Sequence, residues 1–187
     1  MRVHLGRVCR LLAVACLAVA VARAADGRFE IIDATTRLTD RGWLVDARVD
    51  MQLSDAAVEA LQSGVTLNIS FQYEVTRRIR FWPDEEVRTA RQEFELQYLS
   101  LSQRYLVRNL DASSETSYAT LFSALRSMGR VRDFVLLSDT LDTANEVYYI
   151  AMRAVLDRRQ LPGPLQILAF WQGDFGLESD WYRWKPK

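Results

Sequence analysis

The feature that most limits how this chain can fold is an alternation with period two. Val65, Leu67, Ile69, Phe71, Tyr73 and Val75 are apolar, and Thr66, Asn68, Ser70, Gln72, Glu74 and Thr76 between them are polar. Successive side chains of an extended strand point to opposite faces, so this run predicts a strand with one dry and one wet face. Trp43, Val45, Ala47, Val49 and Met51 repeat the pattern against Leu44, Asp46, Arg48, Asp50 and Gln52.

The rest of the chain extends this reading. Asp40-Arg41-Gly42 supplies turn chemistry, and Phe29 to Leu38 reads as the hairpin partner of the strand that follows. Ser54 caps a short helix with Ala57, Val58 and Leu61 on one side, and Gly64 ends it. Continued through Ile79 to Phe81, the long alternation would exceed the roughly ten residues of an ordinary long strand, so a bend or bulge is expected near Thr76 to Arg78. Pro83-Asp84-Glu85 reads as a turn. Phe94, Leu96 and Tyr98 resume the alternation, the chain reverses near Leu101 to Arg104, and Tyr105 and Val107 lie on the returning strand. Asp111 to Ser117 reads as a polar loop. Leu121, Phe122, Leu125 and Met128 recur at helical spacing within Tyr118 to Met128, with Gly129 as the stop. Val131 to Leu137 is consistent with a buried strand, and Asp139 to Asn145 is polar. Tyr148, Ile150, Met152, Ala154 and Leu156 form a last long strand. Leu161-Pro162-Gly163-Pro164 breaks the chain before an apolar stretch from Leu165 to Trp171. Gly173 to Asp180 reads as a loop, and Trp181 to Trp184 closes the chain. Six or seven strands of this kind predict a mainly β fold: an antiparallel two-sheet sandwich, immunoglobulin-like or related, with two short helices. A half-open barrel is the alternative. Residues 25–187 read as one domain without repeat or linker.

The first 24 residues read as a secretory signal. Arg2, Arg7 and Arg10 precede an apolar run from Leu11 to Val21, and Ala22-Arg23-Ala24 has the form of a cleavage site. Cleavage is expected after Ala24, giving a periplasmic or secreted chain with no transmembrane segment in its mature part. Lipid attachment at Cys16 is the weaker reading, since Ala13 stands where such a site favours leucine. Cys9, Cys16 and His4 all fall in the leader, so residues 25–187 contain neither thiol nor imidazole. This excludes cysteine nucleophiles and histidine-based triads, and most metal sites with them. The residues call for no cofactor. Those same residues carry 20 basic against 24 acidic side chains, a balance of −4, with the arginines scattered among carboxylates. Nucleic acid is therefore not an expected partner.

Several strings in order resemble a family of exported proteobacterial proteins catalogued as a domain of unknown function, often encoded beside a sensor histidine kinase of the nitrogen-regulation type. They are Gly42-Trp43-Leu44-Val45-Asp46-Ala47, Ala60-Leu61-Gln62-Ser63-Gly64-Val65, Leu96-Gln97-Tyr98-Leu99-Ser100-Leu101-Ser102 followed by Tyr105, Leu161-Pro162-Gly163-Pro164-Leu165, and Ser179-Asp180-Trp181-Tyr182-Arg183-Trp184. The resemblance implies an envelope location, with an envelope protein or sensor kinase as partner. It carries no activity. Leu99 stands where many members have histidine and Thr66 where proline is common, so a histidine-centred role would fail in this chain.

Few residues are left to carry chemistry. A serine nucleophile would need a lysine base, and the only lysines are Lys185 and Lys187 at the C-terminus. Carboxylate pairs of the glycosidase kind could come from Asp84, Glu85 and Glu86 or from Asp174, Glu178 and Asp180. Each group also reads as an ordinary polar turn or loop, and the second matches no calcium-loop spacing. The remaining candidates are binding residues. Trp171, Trp181, Tyr182 and Trp184 form the densest aromatic cluster. Trp181 and Trp184 would point oppositely on an extended segment. Trp82 falls out of phase with an inward row ending at Phe81. Arg77, Arg78 and Arg80 could hold an anionic group or pair with Glu85 and Glu86. The expected role is a non-enzymatic interaction or ligand-sensing module, with a carboxylate enzyme on envelope polysaccharide, or a binder of an apolar or sugar ligand between the sheets, as alternatives.

Overall fold

Nine strands and two helices are present among the residues that the computed structural model describes, which are 27–138, 146–157 and 177–186. β1 (Arg28–Thr39), β2 (Gly42–Gln52) and β7 (Arg130–Leu137) form an antiparallel sheet in the order β1-β2-β7. β3 (Leu67–Arg77), β4 (Glu85–Leu99), β5 (Arg104–Asn109), β6 (Ser114–Tyr118), β8 (Tyr148–Asp157) and β9 (Tyr182–Trp184) form a second, in the order β6-β5-β4-β3-β8-β9. The two antiparallel sheets and two helices agree with the sandwich expected from the alternation, with more strands than the six or seven counted from sequence.

The inward faces carry the expected rows. Val65, Leu67, Ile69, Phe71, Tyr73 and Val75 are all buried, as are Trp43, Val45, Ala47, Val49 and Met51. All of these but Trp43 share one core cluster with Phe94, Leu96, Ile150, Met152 and Leu156. Tyr73 of one sheet stacks on Phe134 of the other with ring centroids 4.7 Å apart, and Phe71 meets Phe94 edge-on at 5.4 Å. The Leu44 side chain, expected on the wet face, is instead buried.

Both helices follow their caps. In α1 (Asp55–Gln62) the Ser54 hydroxyl accepts the Ala57 N–H at 3.3 Å, and Gly64 takes the left-handed conformation, φ 92°, that ends the helix. In α2 (Leu121–Met128) the cap is Thr120, whose hydroxyl accepts the Ser123 N–H at 3.2 Å. The helix therefore starts three residues later than the apolar spacing suggested.

Bulges correct the phase of the strands. In β1, Phe29 and Ile31 face inward, then Ala34 and Thr36 do, because Ile32 is an extra residue between Ile31↔Val49 and Asp33↔Arg48. In β7, Val131 faces inward and then Leu136, across an extra residue at Arg132-Asp133 opposite Asp46. The irregularity expected near Thr76 is present between Val75 and Thr76, with Val87 of β4 as the extra residue, and β3 ends at Arg77.

Four expectations are corrected. Asp111 to Ser117 is not simply a loop, since Ser114–Tyr118 is β6, an exposed polar edge strand paired with β5. Glu85 begins β4 rather than completing a turn. Val131 to Leu137 is the half-exposed edge of the three-stranded sheet, not a buried strand. Phe122 lies outside the apolar face of α2, 68% exposed, while Ala124, Leu125 and Met128 turn inward. The readings of Asp139 to Asn145, Leu161 to Trp171 and Gly173 to Gly176 lie outside the described residues, as does the leader.

The Tyr73 hydroxyl is buried with no hydrogen-bond partner among the described residues. Burial, and to a lesser extent the Asp111 carboxylate, push this phenol far above the tyrosine value of 10.0. Removing an unsatisfied buried hydroxyl relieves its desolvation penalty, so Tyr73→Phe is expected to raise stability by about 1 to 2 kcal/mol in urea unfolding near neutral pH. The unfolded chain ionises Tyr73 first as pH rises, which favours unfolding. The advantage of the variant should therefore widen by about 1.4 kcal/mol at about pH 11. A variant less stable than wild type at neutral pH would mean that the hydroxyl has a partner.

Candidate functional site

β3 ends where its inward row ends, and the chain crosses to β4 through residues 78–84. The Arg78 N–H donates to Val147 O at 2.8 Å, and Trp82 N–H reaches Ile79 O at 3.4 Å, closing a tight turn. Phe81 inside this turn has φ 68°, a left-handed conformation that costs a bulky residue of order 1 kcal/mol or more. The result is two adjacent aromatic side chains held in solvent: Phe81 is 90% exposed and Trp82 74%. Trp82 is thus exposed as its phase suggested. Phe81, expected to close the inward row, is not part of it, because the strand stops four residues earlier.

Sheet order brings other residues to this turn. β8 lies beside β3 and β9 beside β8, with Thr76 opposite Tyr149 and Ala151 opposite Arg183. Tyr148 and Ile150 face the core, so Tyr149 faces out; Tyr182 and Trp184 pack on the core, so Arg183 faces out. Arg78, Phe81, Trp82, Asp84, Tyr149 and Arg183 surround an open hollow of about 640 Å³. The Lys185 ammonium sits 5.4 Å from the centre of the Tyr149 ring, and the Arg80 guanidinium 5.1 Å from that of Phe81, both within cation–π range. Among the described residues Arg78, Arg80, Arg183 and Lys185 enter no ion pair.

The other candidates have separate places. Arg77 bridges Glu85 and Glu146, with the Glu146 contact at 2.7 Å. Those hydrogen bonds, to Glu85 first, raise its pKa further. It anchors the base of the turn and is not a free cation. Trp181 stands apart from Trp82, on the outer face of β8, with the Arg153 guanidinium 4.7 Å from its ring. Trp184 turns inward, opposite in sense to Trp181 as expected of an extended segment, and its indole N–H donates to the Thr36 hydroxyl at 2.7 Å. This bond ties β9 of one sheet to β1 of the other. Of the carboxylates, Glu85 is held by Arg77 and Glu178 by Arg153 at 3.2 Å, Asp84 borders the hollow, and Glu86 and Asp180 are exposed. Asp174 and Trp171 lie outside the described residues. Among the described residues no three acidic, histidine or cysteine side chains are grouped for a metal, and no helix is long and apolar enough to cross a membrane.

Sequence reasoning missed Phe81, Tyr149, Arg183 and Lys185. A signal for Tyr149 existed, since an aromatic residue one step out of phase with Tyr148 and Ile150 must face solvent. Its nearness to Trp82 depends on strand order, which no local pattern encodes.

A family model described as "Domain of unknown function (DUF4390)" matches residues 26–185. No curated protein and no solved structure matches the chain.

The Trp184 contact gives a structural control for any functional test. Trp184→Phe keeps most of the ring and deletes the donor, and is expected to cost about 1 kcal/mol in urea unfolding. Thr36→Val leaves the indole N–H unpaired and should cost about 1 to 3 kcal/mol. The double variant should cost less than the sum of the two, because the second change removes nothing further.

Proposed function

The chain belongs to the DUF4390 family of domains of unknown function, and from that premise we propose that it is a non-enzymatic interaction module of the cell envelope whose contact surface is the turn joining β3 and β4. The observation that carries this reading is the pair Phe81 and Trp82, held in solvent at 90% and 74% exposure by a left-handed backbone. A tryptophan contributes more free energy buried than exposed, so a fold that keeps one in water on a strained turn retains it for contact. Trp, Tyr and Arg are the residue types that dominate binding at protein interfaces, and Arg78, Trp82, Tyr149 and Arg183 supply all three around one hollow.

Arg78 and Arg183 line that hollow, with Arg80 and Lys185 against the Phe81 and Tyr149 rings at its rim, and Asp84 is the one carboxylate bordering it among the described residues. The complementary partner is a protein segment with acidic residues flanking an apolar side chain, which would fill the hollow while its charges meet the rim. In this reading the signal at residues 1–24 exports the module, which is then periplasmic or secreted. The family match starts at residue 26, after the expected cleavage, and is in keeping with that reading. The periplasmic region of an envelope sensor kinase is the first partner to try.

The test is biolayer interferometry of the purified mature protein against that kinase region. Wild type is expected to bind. Trp82→Ala, or Arg78→Glu with Arg183→Glu, should weaken binding at least tenfold with an unchanged melting temperature, as expected for interface anchors. Trp181→Ala should bind as wild type. Rim charges act mainly on association, so raising salt should slow the on-rate of wild type more than that of the Arg78→Glu, Arg183→Glu variant. No binding by wild type, or full binding by Trp82→Ala, would reject the surface.

A further inference from the structure

The outer face of the three-stranded sheet carries arginines that its ion pairs leave over. Arg28 pairs with Glu30 at 3.1 Å, Arg48 with Asp33 at 3.0 Å, and Arg37 with both Asp46 and Asp133. Arg126 of α2 and Arg130 and Arg132 of β7 enter no ion pair among the described residues, and together with Ser123 and Ser127 they line one hollow of about 630 Å³. Among the described residues no carboxylate borders it.

The strand geometry enforces this surplus. Arg130 stands directly opposite Arg48, a like-charge pairing that is unfavourable across a ladder, and the Arg48 side chain is already turned to Asp33. Arg132 and Asp133 lie together at the bulge opposite Asp46, with Asp133 in the left-handed region at φ 53°. Asp46 forms no ion pair with Arg132: one of its oxygens accepts from Arg37 and the other accepts the Asp133 N–H at 3.0 Å. Arg126, in the last turn of α2, gains from the helix dipole; Arg130 and Arg132 have no such compensation.

The same three arginines also border a larger open groove, about 1010 Å³, that runs over the sheet. Its apolar lining includes Phe122, 68% exposed, and the bulged Ile32, 44% exposed, and the Arg126 guanidinium lies 5.8 Å from the Phe122 ring. Asp33, Asp46 and Asp50 also line this groove, paired to Arg48, Arg37 and, at 4.0 Å, Arg28, so the basic hollow opens beside a shelf of mixed apolar and acidic lining.

We propose that this is a binding site for a phosphate group carried on an apolar body, with the phosphate among Arg126, Arg130 and Arg132 and the apolar body along Phe122 and Ile32. Each guanidinium offers paired N–H donors in a planar fork, so three of them supply more donors than the two oxygens of a carboxylate can accept. A phosphate monoester has three terminal oxygens and nearly two negative charges. The Ser123 hydroxyl accepts from Thr120 at 2.9 Å and keeps its own proton to donate into the hollow. The site is on the opposite sheet from the aromatic turn and stands or falls independently of it.

Isothermal titration calorimetry of the purified mature protein tests this with two probes, inorganic phosphate and dihexanoyl phosphatidic acid below its micelle-forming concentration. The phosphatidic acid is expected to bind at least tenfold tighter than phosphate. Arg130→Ala with Arg132→Ala should weaken both at least tenfold. Phe122→Ala should weaken only the phosphatidic acid, and Trp82→Ala should change neither. Equal affinity for the two probes would overturn the apolar body and leave a site for free phosphate. No heat from either at millimolar concentration, or undiminished binding by the double arginine variant, would overturn the site. Should that variant not fold, Arg130→Gln and Arg132→Gln singly give the same comparison.

Discussion

The inward row of β3 is the constraint from which the other placements follow. Leu67, Ile69, Phe71, Tyr73 and Val75 are essentially inaccessible to solvent, and β3 has β4 on one edge and β8 on the other. A strand paired on both edges and sealed on one face has a single acceptable register, because a slip of one residue would turn the whole row outward. The partners inherit that phase. Ile150 is in because it faces Val75, and Tyr149 is therefore out; Trp184 is in beside Ile150, and Arg183 is therefore out. The residues of the aromatic turn are collected by the parity of a core they do not touch.

The three-stranded sheet meets the same demand with less regular strands. Its sequence does not keep one phase along β1 or β7, and the breaks are absorbed by extra residues: Ile32 in β1, and in β7 one at Arg132-Asp133 and Leu136 opposite Trp43-Leu44. A bulge leaves the extra residue unpaired and turns it away from the ladder. The core gains continuity from Phe29 and Ile31 to Ala34 and Thr36. The outer face acquires an apolar side chain, Ile32, and a misaligned cation, Arg132, in the same groove. The composition of that groove is thus a by-product of keeping the inner face dry.

What could be read in the sequence was whatever has a strong local period. β2, β3 and β8 alternate over ten residues or so, and their buried rows follow that alternation; the helix cap at Ser54 and the stops at Gly64 and Gly129 are local chemistry. β6 was illegible because Ser114 to Tyr118 is an edge strand with almost no apolar residue and no dry face to mark. The first half of β4 hid for the same reason: Glu85 to Thr89 is exposed on both sides. Phe81 misled because periodicity says nothing about where hydrogen bonding stops. At the candidate site, Arg78, Arg80 and Trp82 are neighbours in sequence and could be grouped by eye. Their meeting with Tyr149 and Arg183 depends on β8 and β9 being the next strands over, a non-local fact. The arginine hollow was likewise invisible, since Arg126, Arg130 and Arg132 read singly as solvated surface.

Net charge is the sequence quantity that needs most care at these sites. Residues 25–187 carry a balance of −4, which argues against affinity for a long polyanion, where attraction accumulates over many phosphates. It does not describe a single group. At physiological ionic strength the screening length is about 8 Å, so a bound ion senses the few charges lining its own hollow and little of the remainder. On the outer face of the three-stranded sheet the ion pairs hold Asp33 on Arg48 and both Asp46 and Asp133 on Arg37, and the small hollow of Arg126, Arg130 and Arg132 has no carboxylate in its lining among the described residues. Pairing makes most of the surface electrically quiet and leaves the unmatched arginines as local positive fields. A segment of mildly acidic balance can therefore present a basic hollow, and the arrangement of ion pairs, which only the fold reveals, decides where it lies.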